Sequence, residues 1–144
     1  MHSHQERQKQ NGGSENGMLE IPAGKIREYE NIYDALRREV WEETGLHLTE
    51  IQGEKDAVVC NVNGYKVISF QPYCSSQNLS GGYALIVQTF LAKAEGTLLE
   101  QTNETTNIRW ITLEKCREMI VKSPETFYPM HINALRKYLF EQAR

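Results

Sequence analysis

The chain contains no apolar run approaching the roughly 18 residues that a membrane-spanning helix needs, and no charged-then-apolar leader of the secretory type opens it. Membrane association is therefore not expected, and the expected compartment is the cytoplasm. Cysteine is scarce. Cys60, Cys74 and Cys116 are odd in number and form no close metal-type pair, which argues for reduced, small buried side chains rather than a disulfide framework. An excess of one charge is lacking as well. A net charge of -3 supplies no field for general binding to nucleic acid or to a membrane surface. There are no internal repeats, and 144 residues make one core but not two.

Apolar side chains are themselves missing from one stretch. Residues 1–17 hold Met1 alone and end in Gly, Ser and Asn, so they are expected to form a flexible polar arm ahead of a folded domain over 18–144. A short strand is expected over 18–22, closing at the turn Pro22-Ala23-Gly24. Asn31 suits a helix N-cap, Asp34 stands at the capping-box position, and Gly45 suits the αL position past a C-terminus, so the spacing predicts a helix over 32–44. Beyond it the period changes to that of strands. Residues 57–61 and 65–70 flank Asn63-Gly64, the dipeptide best suited to a tight hairpin. Residues 71–82 are expected as loop, and the apolar run 83–92 as a central strand buried on both sides. A polar loop over 103–107, a strand over 108–111, a helix capped by Thr112 and a last helix over 130–141 complete the reading, with Pro124 and Pro129 breaking the chain before that helix. Mixed strands and two or three helices give a layered α/β domain.

The chemistry concentrates in residues 24–46. At about 100° per residue, Glu42 and Glu43 lie roughly 60° and 40° to either side of Glu39 on the helix. Leu36 and Val40 adjoin these acids rather than oppose them, so the carboxylates border the core, where a cleft would be. Like charges clustered there are unfavourable unless a cation neutralises them, which points to Mg²⁺ or Mn²⁺. Asp34, Arg38 and Glu42 also fit a surface ion-pair ladder at i, i+4, i+8. The register of Gly24 before the helix, Glu30 at its entrance and Gly45 at its exit outweighs that simpler reading. Gly24 allows a tight turn through which the carbonyl of Ala23 or Gly24 can face a metal. Arg38 suits orienting the acids by charge-assisted hydrogen bonds.

Gly24, five residues, Glu30, seven residues, Arg38-Glu39-Val40, one residue, Glu42-Glu43, one residue, Gly45-Leu46 resembles an unbroken Nudix box. The resemblance implies a Nudix-type α/β/α sandwich with a mixed sheet. Because only the polar arm precedes Met18, that sheet is expected to lack one or more upstream strands. It implies a pyrophosphohydrolase in which water attacks phosphorus and hydrolyses a nucleoside diphosphate linked to some other group X. Glu39 and Glu43 would be the principal Mg²⁺ ligands, Glu42 a further or shared one, and Glu30 with the backbone of Ala23 and Gly24 would complete the site. Arg38 would orient the acids. Glu104 matches the loop position of a general base in the family, with Glu100 in reserve.

The segment Leu19 to Gly24 is similar to that of ADP-ribose and sugar-nucleotide pyrophosphatases, and a small nucleotide of that kind is the expected substrate. The proline those enzymes carry beyond the box has no counterpart at 61–63; the nearest is Pro72. Phe70 and Tyr73 border the Ser/Gly loop and suit stacking on a base. Trp41 points away from the acids, and Trp110 is expected in the core. Three other functions fit the box: a catalytically silent nucleotide-binding module, a nucleoside triphosphate or RNA-cap hydrolase, and an isomerase acting on a diphosphate. An exposed sheet edge left by missing strands would invite a homodimer.

Overall fold

Local signals place the first helix where the sequence puts it. The computed structural model describes residues 3–9, 18–103 and 105–141. Helix α1 spans Ile32–Thr44; Asn31 Oδ1 accepts from Tyr33 N at 2.8 Å, and Gly45 closes the helix at φ 81° with its N–H on the Trp41 carbonyl. Upstream lie strands β1 (Ser3–Lys9) and β2 (Leu19–Glu20). Downstream come β3 (His47–Ile51), β4 (Val58–Val62), β5 (Tyr65–Ser69), β6 (Cys74–Gln77), β7 (Ile86–Thr89), β8 (Ala92–Glu95) and β9 (Thr105–Thr112). Helix α2 (Leu113–Lys122) is capped by Thr112, whose hydroxyl accepts from Lys115 N at 3.1 Å. Helix α3 (Pro129–Arg136) then widens into π turns over Lys137–Glu141.

Strand β1 lies between β2 and β9, antiparallel to both. The other described pairings, β3 with β8, β4 with β5 and β6 with β7, are also antiparallel, and Leu19 bridges Phe127 in parallel. Among the described residues two apolar clusters form. One gathers Leu19, Ile111, Cys116, Ile120, Phe127, Leu135 and Leu139 from β2, β9, α2, the turn that follows it and the C-terminal helix. The other joins Ile32 and Tyr33 of α1 to Ile51, with Phe70 and Phe90 at its edge. The box helix thus stands on its own cluster, away from the C-terminal helices.

Several expectations need correction. Ser3–Lys9 are a strand and not part of a flexible arm, and that strand lies upstream of the box. Its pairing is a backbone ladder to two neighbours, which requires no apolar alternation and so left no pattern to read. The loop expected over 71–82 contains β6 for the same reason, and β9 begins at Thr105, inside the expected polar loop. The run 83–92 is no single buried strand. It splits into β7 and the start of β8, which pair with different partners, and Ile86 is exposed. Of the cysteines only Cys116 is buried, while Cys60 is exposed. Trp110 is exposed rather than in the core, and Trp41 stacks on His47 at 4.6 Å between ring centroids. No helix among the described residues is long and apolar enough to cross a membrane.

Candidate active site

The turn before α1 and the helix itself form one ion-paired unit with Arg38 at its centre. Arg38 donates through Nε and Nη2 to the two oxygens of Glu30, at 2.8 and 2.9 Å. Its Nη1 reaches Glu39 Oε1 at 2.6 Å and Glu42 Oε2 at 3.2 Å, and Nη2 also donates to the Lys25 carbonyl at 3.0 Å. One planar guanidinium therefore fixes three acids and a carbonyl of the turn, which its fork of donors suits and a lysine would not. The Arg38 and Glu30 side chains are each 17% exposed. The hydrogen bonds from Arg38, with one from Arg27 N, hold the Glu30 carboxyl down at about 2, and the same pairing raises Arg38 further above its ordinary value.

Two residues of the turn touch the remaining acids. Ala23 N donates to Glu43 Oε2 at 3.0 Å. Gly24 lies so close to Glu39 that a Cβ at this position would overlap the Glu39 carboxyl group. Glycine here leaves the Glu39 carboxyl its position by close approach and not by a left-handed φ, so a larger residue would have to move that carboxyl. The left-handed residue of this turn is Tyr29, at φ 63° and 98% exposed, one position before Glu30. All six residues expected to hold metal, Ala23, Gly24, Glu30, Glu39, Glu42 and Glu43, are brought together.

Their donor chemistry suits a hard divalent cation. Among the described residues, however, no three acids, histidines or cysteines are gathered tightly enough to enclose an ion unaided. Arg38 spends its donors on Glu30, Glu39 and Glu42, which spreads the carboxylates around the guanidinium. Such a set suits Mg²⁺, which keeps several waters and takes one or two carboxylates with substrate phosphates rather than a full protein cage.

A cleft of about 1870 Å³ opens beside these acids, with Gly24, Glu39 and Glu43 among its lining residues. Tyr73, Trp110, Tyr128 and His131 line it elsewhere. Tyr73 meets the Tyr138 ring edge-on at 6.2 Å and has the Lys137 ammonium 4.4 Å from its ring centre. Tyr128 and His131 meet at 5.1 Å. Phe70 does not reach the cleft; it packs on Tyr33 and Phe90, at 6.3 and 6.0 Å. Glu100 is exposed, and Glu104 lies outside the described residues.

Sequence reasoning missed several groups. Arg27 pairs with Glu42 at 3.4 Å, and its position three residues before Glu30 was the available signal. Glu20, buried on the cleft wall, was flagged only by being a lone acid between Leu19 and Ile21. His131, Tyr128 and Trp110 carried no local pattern.

The fold and the donor set together define an α/β domain whose helix-borne carboxylates suit metal-assisted chemistry on phosphates. The NUDIX domain matches residues 4–130. A MutT NUDIX hydrolase from Burkholderia pseudomallei shares the fold with a TM-score of 0.56 and 18% identity, over 78% of this chain and 75% of that one. A MutT protein from Methanosarcina mazei Go1 shares it with a TM-score of 0.52 and 22% identity, over 97% and 84%. No curated protein sequence matches the chain. The chain belongs to the Nudix hydrolase family.

Proposed function

We propose that this chain is a Mg²⁺-dependent pyrophosphohydrolase that cleaves the diphosphate bridge of a nucleoside diphosphate linked to a group X, with ADP-ribose or another sugar nucleotide as substrate. The observation that carries the reading is the gathering of the complete box around Gly24 and Arg38 beside a large cleft. The cleft's 1870 Å³ exceeds the ~300–1,000 Å³ of an ordinary ligand pocket, which suits a substrate with a group on each side of its diphosphate. The segment Leu19 to Gly24 supports the sugar-nucleotide choice. Tyr73 supplies a ring for the base.

Glu39 and Glu43 would hold the cation, with Glu42 shared and Glu30 and the Ala23–Gly24 backbone beside them. A divalent cation held there would supply charge that screens the diphosphate and would make the attacking water easier to deprotonate. The chain's own residues do the positioning. Arg38 keeps the acids in register, and Gly24 leaves the room that the Glu39 carboxyl occupies. Glu104 is the proposed base that takes the proton of the attacking water. Oxygen then bonds to phosphorus, the bridging P–O bond breaks, and a nucleoside monophosphate and a phosphorylated X leave.

The test is phosphorus-product analysis of ADP-ribose, other sugar nucleotides, dinucleoside polyphosphates, nucleoside triphosphates and capped RNA, with and without Mg²⁺. Metal-dependent release of nucleoside monophosphate from a sugar nucleotide, lost in Glu43→Gln, is the expected result. Preferential cleavage of triphosphates or caps would overturn the substrate assignment. Nucleotide binding without any turnover would overturn the hydrolase and leave a binding module.

A further inference from the structure

The β4–β5 hairpin is apolar on the wrong side. Its register pairs Val58 with Ser69, Cys60 with Val67 and Val62 with Tyr65 on one face, and Val59 with Ile68 and Asn61 with Lys66 on the other. Ala57, Ile68 and Phe70 pack against the Tyr33–Ile51 cluster, so the face carrying Ile68 is the inner one, although Val59 on it is still 49% exposed. The outer face should then be polar, as in any sheet with one side in water. Instead Val58 is 63% exposed, Val62 60%, Tyr65 74% and Val67 46%, with Cys60 exposed among them. That face carries no charged side chain; Lys66, the hairpin's one charge, is on the other.

The cluster beneath the hairpin supplies the layer that a two-stranded ribbon needs on its inner side, and leaves the outer side unpaired. Among the described residues β4 and β5 pair only with each other. The five outer side chains other than Ser69 expose on the order of 600 Å², at the upper limit for a functional patch on a monomer and near the ~800 Å² that each partner contributes to a standard interface. An uncharged surface of this kind gives a charged peptide, nucleic acid or headgroup nothing to recognise. It is complementary to itself, because apolar β-branched side chains on a twisted face interdigitate with a copy of the same face.

We infer that this outer face is a self-association surface, on which a second copy of the chain packs its own hairpin across a two-fold axis. The middle pair, Cys60 and Val67, lies at the axis and brings the two Cys60 thiols near each other. The proposal is independent of the catalytic reading, since no box residue belongs to the hairpin. It also replaces the missing-strand argument for a dimer, because β1 fills that place.

Light scattering on the full chain at tens of micromolar should give twice the 16.6 kDa chain mass. The double variant Val62→Lys, Val67→Lys should give the single mass with an unchanged circular dichroism spectrum. A monomeric wild type overturns the proposal, and so does a folded double variant that remains dimeric. Should that variant not fold, a Cys74→Ser background with a short bifunctional maleimide decides the matter. Covalent dimer that disappears in Cys60→Ser is expected; a dimer that cannot be cross-linked through Cys60 has another interface and overturns the assignment.

Discussion

The two parts of the cleft are built on opposite principles. At the box, one arginine binds three carboxylates and a carbonyl, all drawn from residues 25–42. Among the cleft's aromatic residues, Tyr73, Trp110 and the pair Tyr128–His131 come from separate parts of the chain; Tyr128 meets His131 edge-on, and Tyr73 meets Tyr138 in the same way. The first is short-range and electrostatic, the second long-range and apolar. Chemistry that must be positioned to a fraction of an ångström sits on one helix and its preceding turn. Recognition of the remainder of a substrate tolerates a looser wall and is distributed over the chain.

The contrast breaks most sharply at Glu43. Glu43→Gln keeps an acceptor for Ala23 N, so the fold should persist, while the charge that would hold a cation is gone. Turnover should fall by on the order of 10³-fold or more, with KM little changed. Mg²⁺-dependent kinetics alongside a thermal melt check this; near wild-type activity would remove Glu43 from the site. Gly24→Ala comes next. The new methyl group must displace the Glu39 carboxyl, and a shift of about 1 Å at such a position costs roughly 10²-fold in rate. The half-saturating Mg²⁺ concentration should rise in the same variant, and an unchanged metal titration would contradict the role given to Glu39.

Substitutions among the aromatics should separate the core from the cleft. Tyr73→Ala removes a ring from the cleft wall and should raise KM about tenfold with kcat nearly constant, the size of one lost stacking contact. Phe70→Leu should instead lower stability by ~1 kcal/mol and leave KM alone, because Phe70 packs on Tyr33 and Phe90. The reverse pattern would exchange their roles.

How much of this was legible follows from the range of the interactions. The limits of α1 were readable because Asn31 and Gly45 are local stop signals whose hydrogen bonds stay within a few residues. The acids were readable because helix geometry converts spacing into a shared face. The hairpin was readable from Asn63-Gly64, both with positive φ. Strand β1 was not, since a polar strand is specified by its neighbours' backbone and not by its own pattern. Nor was the split of the run 83–92, because apolar residues alone do not say which sheet each half joins. Phe70 and Tyr73 are three residues apart, yet only one lines the cleft, a distinction that tertiary packing alone decides.

Acid should sharpen the comparison at the box. The Glu30 carboxyl is held at about 2 by Arg38 and Arg27, below its ordinary 4.5. A carboxyl depressed on folding stabilises the fold fully above its unfolded pKa, and that contribution is lost as pH falls through the folded value. Glu30→Gln should therefore flatten the wild-type decline in stability between about pH 4.5 and 2, whereas Tyr73→Ala should leave that slope unchanged. Denaturant melts across this range test both, and a slope insensitive to Glu30→Gln would detach the ion pair from stability.

The smallest expected effect concerns the turn that presents Glu30. Tyr29 adopts φ 63° although a β-carbon disfavours that region, and its side chain is 98% exposed, so no packing compensates. The backbone must turn here because Arg27 uses both its carbonyl and its N–H on Glu30: Glu30 N donates to Arg27 O at 3.0 Å, and Arg27 N donates to the Glu30 carboxyl at 3.0 Å. Glycine adopts the same φ without steric cost but adds freedom to the unfolded chain, so two terms of similar size oppose each other. Relief of the left-handed conformation is worth about 1–2 kcal/mol and the added chain entropy roughly 0.5–1 kcal/mol, which leaves Tyr29→Gly stabilising by ~0.5 kcal/mol. Activity should be unchanged, since the turn keeps its geometry and the side chain faces solvent. A loss of activity at unchanged stability would mean that the Tyr29 ring itself meets the substrate, which would extend the recognising surface from the cleft's aromatic wall to the edge of the box.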